Sequence, residues 1–253
     1  MPRFFIEPDQ VTELPDGTLT LRILGQDARH IGGSLRLRPG DALVACDMRG
    51  AVYDCTIASL TDAGQVLCDV SAIREADNEP SVDITVYQAL TKGDKFDYIV
   101  QKAVELGAGA IVPVRSGNCV AELPAARLQS RLQRWNRIAA EAAKQCGRSK
   151  IVQVTAPVAY SEMLGTFSAA PCAFICYEGA RGSPISAYLS GIDLRAARSV
   201  SFFIGPEGGL TAAEVQAAEA KQLPLVGLGG RILRTETAGG LALAALLYAC
   251  GDI

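Results

Sequence analysis

Apolar and polar positions alternate through the first seventy residues. In TLTLRIL (18–24), Leu19, Leu21 and Ile23 fall on one side of an extended chain, the period-two signature of a half-buried strand. DALVACD (41–47) and AVYDCTIASL (51–60) repeat the pattern, joined through Met48-Arg49-Gly50, a connection of hairpin length. Thr61-Asp62-Ala63-Gly64 then turns the chain into QVLCDVSAI. Evenly spaced short strands predict a small β-barrel over residues 1–72. The polar IREADNEP (73–80), which closes on proline, reads as a linker.

From residue 81 the period changes. SVDITVYQAL is a strand, and DKFDYIVQKAVELGAG is a helix with Phe96, Ile99, Ala103 and Leu106 on one side and Gly107 as its C-terminal stop. AIVPV follows as a strand. Residues 125–146 predict a long amphipathic helix whose inward face carries Leu128, Leu132, Trp135, Ala139 and Ala142, with Arg127, Arg131 and Arg134 on another. CAFICYE (172–178), SVSFFIG (199–205) and LPLVGLG (223–229) are short apolar runs, and Thr211-Ala-Ala-Glu214 is a capping box that opens a helix between the last two. A final apolar helix begins near Thr237. Strands alternating with helices predict an α/β domain over 81–253, with a mostly parallel sheet covered by helices on both faces.

Three strand ends carry unusual chemistry: YEGARG (177–182), GPEGG (205–209) and GLGGRILRTETA (227–238). Ligands of open parallel sheets bind beyond the carboxyl ends of strands, and glycines let backbone approach a ligand closely. Tight strand-to-helix turns are the plainer account of any one such loop, and a weaker account of three. There is no GxxxxGK[ST], and GLGGRI is a poor GxGxxG, so a nucleotide phosphate is not the expected ligand. An adenosine-containing molecule read by backbone groups, against Leu228, Ile232 and Leu233, suits the loops better.

Composition narrows the class. With 253 residues, 49% apolar and 20% charged, the chain is an ordinary globular protein of one or two domains. The longest apolar run, LALAALLYA (241–249), is half a membrane span, and MPRFFIEPDQ lacks the pattern of an export signal, so a cytoplasmic location is expected. Eight cysteines without a CxxC, and the single His30, predict scattered reduced thiols and no metal site. Net charge is −3, but residues 127–150 carry seven bases against one acid. That stripe is either a solvated helix face or a surface for an anionic partner.

GPEGG, followed some twenty residues later by LGGRILRTETA, resembles the signature of SPOUT-class RNA methyltransferases, and more closely that of the ribosomal RNA small subunit methyltransferase E family. KGDKFDYIVQKAVELGA (92–108), EAAKQCGR (141–148) and HIGGSLRLRPGD (30–41) are similar to further blocks of that family, so the resemblance covers essentially the whole chain. Val152 stands where the family has proline.

The resemblance implies a PUA-like RNA-binding barrel followed by a methyltransferase domain whose last segments form a deep trefoil knot around S-adenosylmethionine. It also implies a homodimer with sites at the subunit interface, and methylation of uridine N3 in 16S rRNA of the small ribosomal subunit. Carried onto this chain, the cofactor residues are Tyr177, Glu178, Gly205, Pro206, Glu207, Gly208, Leu228, Gly229, Ile232, Leu233, Arg234 and Thr235.

The uracil N3–H is a weak acid, so catalysis needs a proton acceptor or stabilisation of the imide anion. Arg234 is the first candidate for holding the anion and Arg231 the second. Glu236 and Glu207 are candidate bases, and either could instead cap a helix or grip an arginine. RNA contacts are expected from Arg3, Arg22, Arg29, Arg36 and Arg38, from Lys92, Lys95 and Lys102, and from His30, which as a lone histidine is a weaker candidate for a base. Competing readings are a SPOUT-class enzyme acting on another rRNA or tRNA position, and a non-catalytic RNA-binding or assembly factor. A Rossmann-type oxidoreductase is disfavoured by the missing early glycine fingerprint.

Overall fold

The computed structural model describes residues 1–61, 64–119 and 123–253. The chain divides into two compact units, the first comprising Met1–Glu79 with Ala143–Ile151, the second Pro80–Ala142 with Val152–Ile253.

In the first unit, β1 (Arg3–Phe5), β2 (Val11–Glu13), β3 (Leu19–Ile23), β4 (Ala42–Cys46), β5 (Ala51–Leu60) and β6 (Val66–Glu75) form one sheet in the order β1-β4-β5-β6-β3-β2. Every pair is antiparallel except β1 with β4. Alternation places Leu21, Ile23, Leu43, Ala45, Cys55, Ile57, Val66 and Cys68 in one core, closed by Phe4, Ile6 and residues of α1 (Gly25–Arg29) and the turn after it. Burial pushes the Cys55 and Cys68 thiols up to about 12, as expected of cysteines packed as small hydrophobes. Of the turn expected at 61–64, Thr61 and Gly64 are bonded to each other, whereas Asp62 and Ala63 lie outside the described residues. β6 runs through Glu75, three residues into the segment read as a linker.

The segment 143–151 joins this unit through Glu79. Its carboxylate accepts from the Arg148 guanidinium at 2.5 Å and from the amide and hydroxyl of Ser149 at 2.9 and 3.1 Å.

The second unit is an all-parallel, seven-stranded sheet. Its strands are β7 (Asp83–Ala89), β8 (Ala110–Arg115), β9 (Gln153–Val154), β10 (Val158–Ala159), β11 (Ala173–Cys176), β12 (Ser199–Ile204) and β13 (Leu225–Val226), ordered β10-β8-β7-β12-β11-β13 with β9 also on β8. Between them run α2 (Lys95–Glu105), α3 (Ala125–Cys146), α4 (Tyr160–Ala169), α5 (Ile185–Ser190), α6 (Leu194–Ala197), α7 (Ala212–Ala220) and α8 (Thr235–Cys250). Tyr87 and Ala89 of β7 pack with α4 and α7 on one face. Gln88, on the opposite face by alternation, meets α8, against which α2 also lies.

α2 stops where expected, at Gly107 with φ +90°. α3 has the expected bounds; of its expected inward face, Trp135, Ala139 and Ala142 are buried and Leu128 and Leu132 half-buried. The last helix starts two residues earlier than the apolar pattern indicated, because Arg234 is its N-cap and Thr235 is already buried.

Candidate functional site

β12 lies between β7 and β11, although β7 is followed in sequence by β8 on its other side. The sheet therefore changes direction of winding at β7/β12, where open α/β sheets form ligand crevices. Beyond the carboxyl ends of β11, β12 and β13 lies a cavity of about 420 Å³, within the usual range for small-molecule sites. All three glycine-bearing loops line it.

Tight backbone packing shapes these loops. Tyr177 N donates to Val226 O, Gly227 N to Ser183 O and Ile185 N to Gly227 O, each at 2.9 Å, which zips the 177–184 loop onto the segment after β13. A Cβ on Gly227 would stand 2.6 Å from the Ala180 carbonyl, so only glycine fits there. In GPEGG, Gly209 takes φ +67°, and a Cβ on it would meet the Glu178 carboxylate at 2.5 Å. Gly229 has φ +108° with open space around its missing side chain; backbone conformation rather than crowding demands glycine there.

Thr235 ties the floor together. Its hydroxyl donates to Gly205 O at 2.7 Å and accepts from Gln88 Nε2 at 2.9 Å. That Gln88 nitrogen, fully buried, also faces the carbonyls of Ala89 and Ile204 at 3.1 and 3.5 Å. Gln88 escapes sequence reasoning because a polar residue in an apolar strand carries no motif.

Most of the expected cofactor and catalytic residues converge: Tyr177, Glu178, Gly205, Pro206, Glu207, Leu228, Gly229, Arg231, Ile232, Leu233, Arg234, Thr235 and Glu236 all line the cavity. Gly208 does not; its carbonyl instead accepts from Asn118 Nδ2 at 3.1 Å. Cys176, Arg181, Gly209, Leu210 and Gly230 line the cavity without having been singled out, although all but Leu210 lie within the apolar run or the glycine loops already marked.

Lys95, expected among RNA contacts, lines the cavity and pairs with Glu207 at 3.1 Å. Partial burial works against the charged form of the Glu207 carboxyl, but its own amide, the Lys95 ammonium and the Lys92 amide outweigh it and hold the group below the ordinary carboxylate range. Glu236 differs: its Oε2 is buried without a hydrogen-bond partner among the described residues.

The other expected RNA residues are dispersed. Arg29, His30, Arg36 and Arg38 are exposed on and after α1, with Arg36 at φ +53°. Arg22 is exposed beside the Asp9 carbonyl. Arg3 is half-buried and directs its guanidinium to Arg148 O at 3.2 Å. In the second unit Lys92 is exposed and Lys102 pairs with Glu105 at 2.7 Å. Among the described residues no helix is long and apolar enough to cross a membrane, and no group of three or more His, Cys, Asp or Glu side chains is placed to hold a metal ion.

Comparison with known proteins agrees with this architecture. Residues 78–247 match the model of an RNA methyltransferase domain, and residues 23–71 that of an RNA methyltransferase PUA domain. The chain is 33% identical to ribosomal RNA small subunit methyltransferase E of Bacillus subtilis over 98% of its own length and 96% of the relative's. Against the protein of that name from Synechocystis it is 31% identical over 96% of its length and 76% of the relative's. The crystal structure of ribosomal RNA small subunit methyltransferase E from Neisseria gonorrhoeae bound to S-adenosyl methionine superposes with a TM-score of 0.83, at 31% identity, over 97% of this chain and 96% of that one. With its winding reversal, its glycine-walled crevice and these full-length likenesses, the chain belongs to the ribosomal RNA small subunit methyltransferase E family.

Proposed function

We propose that this protein transfers a methyl group from S-adenosylmethionine to N3 of a uridine in 16S rRNA of the small ribosomal subunit, as a cytoplasmic homodimer. The observation that carries the reading is the cavity walled by Gly205, Gly209, Gly229 and Gly230 and edged by Arg231, Arg234 and Glu236. Its size suits the cofactor, its glycines offer backbone groups to an adenine, and the orphaned Glu236 Oε2 calls for a ligand hydrogen-bond donor. When bound, S-adenosylmethionine supplies a methyl group on a sulfonium. The last three crossings would form the trefoil knot, with the 177–184 and 227–238 loops as its crossing strands.

The protein's own task is to make N3 nucleophilic. Arg234 caps α8 at the cavity wall. There its guanidinium would hold the carbonyl oxygens of the uracil as negative charge spreads onto them, with Arg231 in support. Glu236 takes the role of proton acceptor in preference to Glu207, because Glu207 is engaged with Lys95 and its depressed pKa makes it a weak base. The exposed Ile232 (80%) at the cavity rim and Tyr248 (76%) on α8 support a second copy of this chain packing beside the site. The N-terminal barrel would hold RNA through its exposed arginines, with the segment after β6, residues 76–80, linking it to the catalytic domain.

The test combines calorimetric titration with S-adenosylmethionine and methylation of small subunits lacking the modification, followed by mass spectrometry of the RNA. One methyl on uridine N3 is expected. Methylation elsewhere, or none despite cofactor binding, overturns the assignment. Arg234→Ala should lower turnover about 10²–10³-fold with cofactor binding retained; near-normal turnover would remove Arg234 from its role.

A further inference from the structure

We infer that the arginine row on the N-terminal half of α3, formed by Arg127, Arg131 and Arg137 beside Arg134, is an RNA-binding surface that grips the phosphates flanking the target nucleotide next to the catalytic pocket. This rests on the function proposed above, and it adds a contact surface that the glycine loops and the barrel do not supply.

Composition is the first reason. Residues 125–140 contain four arginines and no acid. On a helix, Arg127, Arg131 and Arg134 fall within a narrow arc and Arg137 lies at its edge, while Trp135, Ala139 and Ala142 face the core about a quarter turn away, leaving Arg131 half-buried beside them. A helix face that is merely solvated gains from mixing signs, since oppositely charged side chains four residues apart stabilise it and like charges repel. Here Arg127 and Arg131 are like charges at that spacing, and the first turn has no acid to complement the helix dipole. Arg127, Arg131 and Arg137 form no ion pair among the described residues, whereas Arg134 reaches Asp97 at 2.5 Å and Asp94 at 3.5 Å. The row therefore costs helix stability, and an anionic partner removes that cost.

Position is the second, independent reason. Both α3 and the loop after β8 that precedes it in sequence are bonded to elements that line the pocket. In the loop after β8, seven residues ahead of the helix in sequence, Asn118 Nδ2 donates to the carbonyls of Gly208 and Gly209 at 3.1 and 3.2 Å, within the GPEGG loop. Two turns into the row, Arg134 Nε and Trp135 Nε1 both donate to Asp97, at 2.7 and 3.1 Å. Asp97 stands in the first turn of α2, two residues from the Lys95 that pairs with Glu207 on the cavity lining. Arg134 is thus tied to the first turn of α2, which Lys95 in turn joins to Glu207 of the GPEGG loop. From Arg127 to Arg137 the helix rises about 15 Å, roughly the length of four nucleotides of a stacked strand at about 3.4 Å each. Guanidinium groups so placed suit a phosphate backbone and need no base sequence.

The test compares the full-length protein with a triple Arg127→Gln, Arg131→Gln, Arg137→Gln variant and its Arg→Lys counterpart. The probe is unmodified 16S rRNA, bound over a salt series and methylated at saturating S-adenosylmethionine. For the glutamine variant, KM for RNA should rise about tenfold while kcat at saturating RNA changes less than about twofold. The slope of log affinity against log salt should lose about two to three, and cofactor affinity should not move. The lysine variant should recover most of the loss, because phosphate accepts a lysine as a point charge. Thermal stability of the glutamine variant should be equal or higher, which separates lost charge from a damaged fold. An unchanged KM and salt slope, or a lysine variant as impaired as the glutamine one, overturns the inference while leaving the catalytic reading intact. A wild-type protein that binds neither cofactor nor RNA overturns both.

Discussion

Thr235 shows how one hydroxyl can hold a site in shape. It sits in the first turn of α8, buried, between the side chain of Gln88 and the carbonyl of Gly205. Because the Gln88 amide nitrogen faces three acceptors, its orientation is set, and the hydroxyl is the acceptor that joins β7 to α8. Replacing Thr235 by valine keeps the shape but leaves the Gly205 carbonyl without this donor and Gln88 short of one acceptor. A loss of about 1–3 kcal/mol in chemical denaturation is expected, with Thr235→Ser recovering most of it. The motif RILRTETA marked this threonine as a cofactor contact; it lines the cavity, and its hydroxyl bonds to Gly205 and Gln88. Glu207 makes the same point for charge, since its partner Lys95 is 112 residues away in sequence. Spacing cannot reveal a pair so distant.

Among the elements, α7 was the most legible. Thr211 accepts from the Glu214 amide at 3.2 Å, and Glu214 Oε2 accepts from the Thr211 amide at 2.9 Å, the reciprocal box that the four-residue spacing predicts. The structure adds a third role, because Glu214 Oε1 also accepts from Gly117 N at 2.8 Å and so ties the loop after β8 to the start of α7. Thr211→Ala should cost about 1 kcal/mol, and amide exchange should quicken in both α7 and residues 116–118. Exchange that quickens in α7 alone would mean the two segments are not coupled through this carboxylate. β1 and β9, by contrast, were illegible: runs of three and two residues hold no measurable period, and only their neighbours β4 and β8 make them strands.

On the scale of the whole molecule, the EAAKQCGR block has a structural reason. It ends on Arg148, which is 4% exposed and clasped by Glu79. Burial raises the pKa of Glu79, but the Arg148 hydrogen bond and charge and the Ser149 amide outweigh it, so the folded carboxyl titrates below its ordinary value of 4.5. A group more acidic in the folded state stabilises fully above its unfolded pKa and loses that contribution as pH falls through the folded one. The urea midpoint should therefore decline between about pH 5 and 3. Glu79→Gln, which takes the Glu79 charge away from the buried Arg148 guanidinium, should be less stable at pH 7 by about 3 kcal/mol at most and should show a flatter decline over that range. Equal slopes for the two proteins would mean that other carboxylates dominate.

Sequence alone determined the class and order of the longer elements, among them β3 to β8, α2, α3, α7 and α8, because strand and helix periods are local and this chain keeps them locally consistent. It also marked three loops at strand ends, because glycine, proline and capping residues act within a few positions of themselves. What only the tertiary structure decided is which distant groups meet. Pairing of β11 with both β12 and β13 brings the three loops to one crevice, and the packing of α8 on β7 sets Gln88 against Thr235. Residues 143–151 fold with the N-terminal unit, although they continue a helix that belongs mostly to the other. These pairings depend on non-local packing and on desolvation of partners far apart in the chain, and neither leaves a period for a reader of the sequence to find.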